Sequence, residues 1–319
     1  MLMKTLKIVS VFLAIILALS IVTYVAIAWN DIPFDSEAKK AAPGNFAKLS
    51  AGEIHYQWFK PSEEVYNGEI IVMSHGYGVP GFMFNQIAEM LTDVGHSVLI
   101  FDHFGHGYSD RPNIAYSSDV FEREVFELLE FLNINQPVTL IGQSMGGLIA
   151  ANFAANHSSK VKKLVLFVPA GLRMFESEDK NLINLLKTPI LGKWIWRVFG
   201  RSAMKEPNSP PCDLCGKGKI DGDLYEQAKY EGFFESMRDI LVQFPMNKQD
   251  SVYKKLGDKK IPTLAIFGEK DDLVMPKSAD LFKSLVPNAS VNLMENGDHA
   301  LHIRHWKKIG AQVVDWLKK

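Results

Sequence analysis

The chain has 319 residues and nearly balanced charge, with 35 Lys and Arg against 36 Asp and Glu for a formal net charge of −1. That balance gives no pull towards nucleic acid, and neither a basic stripe nor an internal repeat is visible. About 290 residues follow an apolar N-terminal run, large for a single core but ordinary for one α/β domain with an insertion.

From Ile8 to Trp29 there are 22 residues without a charge, preceded by Lys4 and Lys7. As a helix this run would be roughly 33 Å long, enough to cross a hydrocarbon core of about 30 Å. It is longer than the apolar region of a cleaved signal peptide, about 7–15 residues, which favours an uncleaved signal anchor over residues 1–30. Ala26-Ile27-Ala28 is nevertheless an A-x-A-like cleavage site, so secretion after cleavage stays open. Lys4 and Lys7 favour an inside N-terminus, against Lys39 and Lys40 beyond the other end. The expectation is a membrane-anchored protein with its folded part outside the cytoplasm.

Residues 47–59 read as a hairpin turning at Ala51-Gly52. Strands are expected at Ile70 to Ser74, Ser97 to Asp102, Val138 to Gly142, Val161 to Phe167, Pro262 to Gly268 and Ser290 to Met294. Helices are expected between them. Phe82 to Val94 stops at Gly95, a glycine suited to the residue after a helix end. Asp119 to Leu132 carries Val120, Val125, Leu128, Leu129 and Leu132 close to helical spacing, and Ile309 to Leu317 closes the chain. The pattern predicts a mostly parallel, doubly wound sheet.

The alternation breaks between about 172 and 258, too long for a βα loop. Helix-like pieces at Asn181 to Leu186 and Leu224 to Gln243 flank a Pro/Gly-rich middle. The segment 172–258 reads as a helical cap inserted after the sixth strand, dividing an α/β core of 31–171 from its second part, 259–319. Lys193-Trp194-Ile195-Trp196-Arg197-Val198-Phe199 would contact acyl chains or a membrane surface, or pack the cap on the core. The lone Cys212 and Cys215 lack the further ligands a zinc site needs and do not open a helix as a redox pair would.

The most informative stretch is Gly142-Gln143-Ser144-Met145-Gly146, between the strand at 138–142 and an apolar helix from Gly147. A G-x-S-x-G in that context is a nucleophile elbow, a sharp turn that exposes the serine above a helix N-terminus. The bland alternative is a tight turn in which Ser144 only caps the helix. A serine needs a base and an acid to orient that base, and in this fold class they follow in the order Ser, Asp or Glu, His. Gly268-Glu269-Lys270-Asp271-Asp272 and Glu295-Asn296-Gly297-Asp298-His299 each follow a strand, where ligands bind in open α/β sheets. Met145, next after the nucleophile, should give one backbone N–H to an oxyanion hole.

With His75-Gly76-Tyr77-Gly78 and Asp102-His103-Phe104-Gly105-His106-Gly107-Tyr108-Ser109 added, the chain resembles the α/β-hydrolase fold family over about residues 45 to 319. It is most similar to the branch of serine esterases, monoacylglycerol lipases and C–C-bond hydrolases. The resemblance implies an α/β-hydrolase fold, mostly parallel and doubly wound, with a helical cap; the N-terminal run adds a transmembrane helix. It implies a serine hydrolase cleaving a carboxylic ester, with Ser144 as nucleophile, His299 as base and Asp271 as acid, and with Tyr77 as the second oxyanion donor. Asp272 is the rival acid because Pro276 follows it by four residues. His302 and His305 read as packing or helix-surface residues, and His75 as a brace for its loop. No cofactor, metal or nucleic acid is implied. C–C hydrolysis, perhydrolysis and a non-catalytic, membrane-anchored binding protein remain the alternatives.

Overall fold

The computed structural model describes residues 2–28, 31–40, 42–174, 180–203 and 227–319. Cys212 and Cys215 lie outside the described residues, as does the start of the helix expected from Leu224.

The strands are β1 (Asn45–Leu49), β2 (Gly52–Phe59), β3 (Ile70–Ser74), β4 (Ser97–Phe101), β5 (Val138–Gln143), β6 (Val161–Phe167), β7 (Thr263–Gly268) and β8 (Ser290–Met294). They form one sheet in the order β1-β2-β4-β3-β5-β6-β7-β8. The β1–β2 hairpin closes with Leu49 opposite Gly52 and joins β4 antiparallel. Every later pairing is parallel. β5 and β7 are buried along their whole length, as strands covered on both faces must be.

In chain order the helices begin with α1 (Leu2–Ala28), α2 (Ser36–Lys40), α3 (Asn85–Asp93), α4 (Ser118–Phe131) and α5 (Met145–Asn156). Between β6 and β7 come α6 (Lys180–Leu186), α7 (Leu191–Ala203), α8 (Phe233–Gln243) and α9 (Asp250–Lys259). The last are α10 (Ser278–Leu285), α11 (Leu301–Arg304) and α12 (Trp306–Leu317). Side chains alternate between two cores, as the pleat requires. Ile71 and Met73 of β3 pack with Ile87 and Leu91 of α3 and with Ile309 and Val313 of α12. Val72 faces the other way, towards Phe121 and Leu128 of α4 and Phe153 of α5. α9 packs on α5, while α7 packs on α6 and α8.

The expected Phe82–Val94 helix divides into a 3₁₀ turn at Gly81–Phe84 and then α3, and Gly95 has a φ of 98°. The expected Leu224–Gln243 helix is interrupted: Gln227 and Ala228 are helical, Tyr230 is bridged to Ile32, Gly232 has a left-handed φ of 79°, and α8 starts at Phe233. α7 and α9 were not anticipated from the sequence.

Among the described residues, no helix is long and apolar enough to cross a membrane. The expected N-terminal transmembrane helix therefore draws no support from the fold. α1 covers Ile8 to Ala28 of the uncharged run and lies against α7, where Trp194 Nε1 donates to the Ser20 carbonyl at 3.0 Å.

Candidate active site

The C-terminal ends of β3, β5, β7 and β8 bring the predicted site residues together, as the edge of an open α/β sheet allows. Ser144 sits between β5 and α5 with φ 51° and ψ −117°, a conformation that non-glycine residues rarely adopt. Two glycines permit the turn. A Cβ on Gly142 would stand 2.4 Å from the Gly146 carbonyl oxygen, and one on Gly146 would stand 2.2 Å from that of Ser74. The elbow therefore packs against the β3 backbone as only glycine can.

His299 Nε2 lies 2.9 Å from Ser144 Oγ, and His299 Nδ1 lies 2.9 Å from Asp271 Oδ2. Asp271 Oδ1 accepts the N–H groups of Leu273 and Val274, each at 2.8 Å. That Asx-type turn leaves Oδ2 aimed at the histidine, while the neighbouring Asp272 is exposed. Gln143 donates to the His299 carbonyl at 3.3 Å and fixes its loop against the elbow. Its Oε1 lies where a Cβ on Gly76 would come within 2.2 Å, so a larger residue at 76 would displace the Gln143 amide. His302 is buried beside Phe84 and Phe167, and Asp298 accepts the Ala300 N–H and pairs with Arg304.

Tyr77 and Met145 stand at the ends of the two segments that flank Ser144, after β3 and at the start of α5. Among the described residues, neither backbone N–H is given to a protein acceptor. Behind this loop lies a buried polar cluster. His75 Nδ1 donates to the Gly76 carbonyl at 2.8 Å, and its Nε2 accepts the His103 N–H at 2.9 Å. His106 Nε2 accepts the Gly78 N–H at 3.0 Å. Burial lowers His75 to about 4 and His106 well below its ordinary value, so both rings are neutral near neutral pH. His103 contacts Ser74 Oγ at 2.8 Å on one side and Glu124 on the other, and Glu124 accepts the Phe104 N–H at 2.6 Å. Burial pushes the Glu124 carboxyl up to about 8 and the His103 imidazole down to about 3. The pair is therefore held as an acid and a neutral ring rather than as separated charges.

Sequence reasoning singled out His75 as a brace but missed Glu124. The available signal was a carboxyl on the buried stripe of α4, in helical register with Phe121, Val125 and Leu128. Asp102 was seen only as part of its motif. It accepts the Gly81 and Tyr108 N–H groups at 2.7 and 3.0 Å and bonds His55 Nδ1 at 2.9 Å, which tie the β4 loop to the hairpin. Among the described residues, no group of His, Cys, Asp and Glu could hold a metal ion. A shallow surface pocket between α7 and α8, lined by Trp196, Arg197 and Arg238 among others, includes none of Ser144, Asp271 and His299. The hydrogen-bonded row Ser144–His299–Asp271, away from that pocket, marks the candidate site.

A sheet of this order with a serine elbow after its fifth strand defines the α/β-hydrolase class, and the chain is an enzyme of that class. Residues 67–304 match the serine aminopeptidase S33 family, and the chain belongs to it. It is 25% identical over 257 residues to the human monoacylglycerol lipase ABHD6, covering 77% of this chain and 74% of the relative. It is 30% identical over 292 residues to a 2-hydroxy-6-oxononadienedioate/2-hydroxy-6-oxononatrienedioate hydrolase of Cupriavidus pinatubonensis, covering 87% and 96%. The enol-lactonase of Burkholderia xenovorans shares its fold, with a TM-score of 0.70 at 20% identity over 86% of this chain and all of the other. Such relatives indicate esterase, lipase or C–C hydrolase activity.

Proposed function

We propose that the chain is a serine hydrolase that cleaves a carboxylic ester through an acyl-enzyme on Ser144. The observation that carries this reading is the hydrogen-bonded row Ser144–His299–Asp271 at 2.9 Å per link. His299 Nε2 takes the Ser144 hydroxyl proton as Oγ attacks the ester carbonyl. The N–H groups of Met145 and Tyr77 receive the oxyanion, and such a donor contributes about 3–4 kcal/mol to the barrier. The imidazolium, oriented and stabilised by Asp271, then protonates the leaving alcohol. Water repeats the sequence on the acyl-enzyme, with His299 again as base, and releases the acid.

We further propose a single-chain lipid ester such as a monoacylglycerol as substrate, with the uncharged N-terminal run as a membrane anchor that holds the site outside the cytoplasm. The lipase relative supports the substrate, and the uncharged run from Ile8 to Trp29 supports the anchor. Exposed Ile8, Phe12, Leu19 and Val22 along α1 suit a lipid environment. A second reading, hydrolysis of a C–C bond in a ring-fission product by the same serine, is favoured by the likeness to the C. pinatubonensis hydrolase.

The test compares kcat/KM of the full-length protein in detergent for a long-chain monoacylglycerol, an acetyl ester and a 2-hydroxy-6-oxo-dienoate. The proposal expects the monoacylglycerol to lead. An acetyl ester ahead by tenfold overturns the lipid assignment, and a leading dienoate replaces it with the C–C reading.

A further inference from the structure

The loop that would supply the Tyr77 N–H is fastened from two sides. On the core side, His75 holds the Gly76 carbonyl and His106 holds the Gly78 N–H. On the other side the partners come from the insertion between β6 and β7. The Tyr77 hydroxyl donates to the Met237 carbonyl of α8 at 2.9 Å. Gln227 Nε2 donates to the Gly78 carbonyl at 3.2 Å, while Gln227 Oε1 accepts the Gly107 N–H at 2.7 Å. Gln227 is 5% exposed, and the Tyr77 phenol is buried far enough to be pushed well above its ordinary range, so it remains a donor.

An oxyanion donor works only within about 2.7–3.1 Å of the developing charge, and hydrogen bonds weaken steeply with misalignment. The orientation of the Tyr77 N–H depends on residues 76–78 as a unit, and Gly78 holds a left-handed φ of 76° that the bonds on either side of it must maintain. The residue that offers the N–H is itself held by α8, and the residue after it by Gln227. Resting on the hydrolase reading above, we propose that Gln227 and the Tyr77 phenol are positioning residues that make the seating of the inserted helices part of the oxyanion hole. A substrate that leaves α8 seated meets two aligned donors, and one that displaces it meets one. Selectivity then enters through kcat as well as through binding.

The test uses the full-length chain with Gln227→Leu, Gln227→Glu and Tyr77→Phe. Gln227→Glu keeps the acceptor for the Gly107 N–H and loses the donor to Gly78. The readouts are kcat and KM for p-nitrophenyl butyrate, the inhibition constant of a trifluoromethyl ketone, and Tm. Loss of a whole oxyanion donor costs about 100- to 1000-fold in kcat, so a loosened one is expected to cost about tenfold. KM should stay within about twofold and the inhibition constant should rise in parallel with the loss in kcat/KM. Three variants with wild-type kcat, or with changes confined to KM and Tm, overturn the proposal. Should Gln227→Leu fail to fold, Tyr77→Phe removes a single oxygen and decides the matter. A wild type that neither turns over an ester nor binds the ketone overturns the hydrolase reading and this one with it; an active wild type with unaffected variants overturns this one alone.

Discussion

Asp271 meets His299 with one carboxylate oxygen and its own loop with the other. Oδ2 lies 2.9 Å from His299 Nδ1 while Oδ1 accepts two backbone N–H groups, so the carboxylate cannot rotate without breaking three bonds. Asp271→Asn should lower kcat by about 10³- to 10⁴-fold, through loss of the right tautomer and of imidazolium stabilisation. Asp272→Asn, at an exposed position, should stay within about twofold. Steady-state kinetics on both variants decides it, and the reverse order would make Asp272 the acid.

Gly146 is packed against backbone that cannot retreat. An added Cβ would lie 2.2 and 2.4 Å from the carbonyl oxygens of Ser74 and His75, at the end of β3. Gly146→Ala should cost at least about 3 kcal/mol through forced backbone movement, or roughly 6 °C or more in Tm at this size. Thermal unfolding of the purified variant measures this, and a Tm within about 2 °C of wild type would contradict the close approach.

Buried neutral histidines should make the fold acid-sensitive. Burial lowers His75 to about 4, His103 to about 3 and His302 to about 3, from an ordinary value of 6.5. Below 6.5 the unfolded chain binds protons that the folded chain does not, so stability falls as pH drops from about 6.5 towards 4. Glu124, raised to about 8, acts oppositely: the folded chain keeps its proton between about 4.5 and 8 while the unfolded chain loses it. The histidines outnumber it, so unfolding at pH 5.5 should take up protons. His302 Nδ1 has no partner among the described residues and its ring stacks on Phe167, so His302→Phe should fold and remove roughly one proton from the uptake. Tm against pH for both proteins tests this, and an unchanged slope would contradict it.

The parts legible in the sequence share a physical cause. Strands buried on both faces, such as Val138–Gln143 and Thr263–Gly268, read as short apolar runs. Ser144 and Asp271 follow such runs within three residues and His299 follows the edge strand Ser290–Met294, so the sheet's own topology gathers them. The illegible parts lack that signature. α7 contains Gly192 and Gly200, poor helix formers, and forms by packing its apolar face on α6 and α8. α9 buries only Tyr253 and Leu256, too few positions for a clear helical period. The Glu124–His103 contact and the grip of Gln227 on Gly78 join residues 21 and 149 positions apart, and no local pattern announces either.

The proposed chemistry depends above all on Ser144 as the activated nucleophile. Its most direct test is to treat the full-length protein with a fluorophosphonate and locate the adduct by peptide mass spectrometry. One adduct is expected, on the peptide carrying Ser144, absent from Ser144→Ala and strongly slowed in a folded His299→Gln variant. An unlabelled wild type, or an adduct that persists in Ser144→Ala, would contradict it.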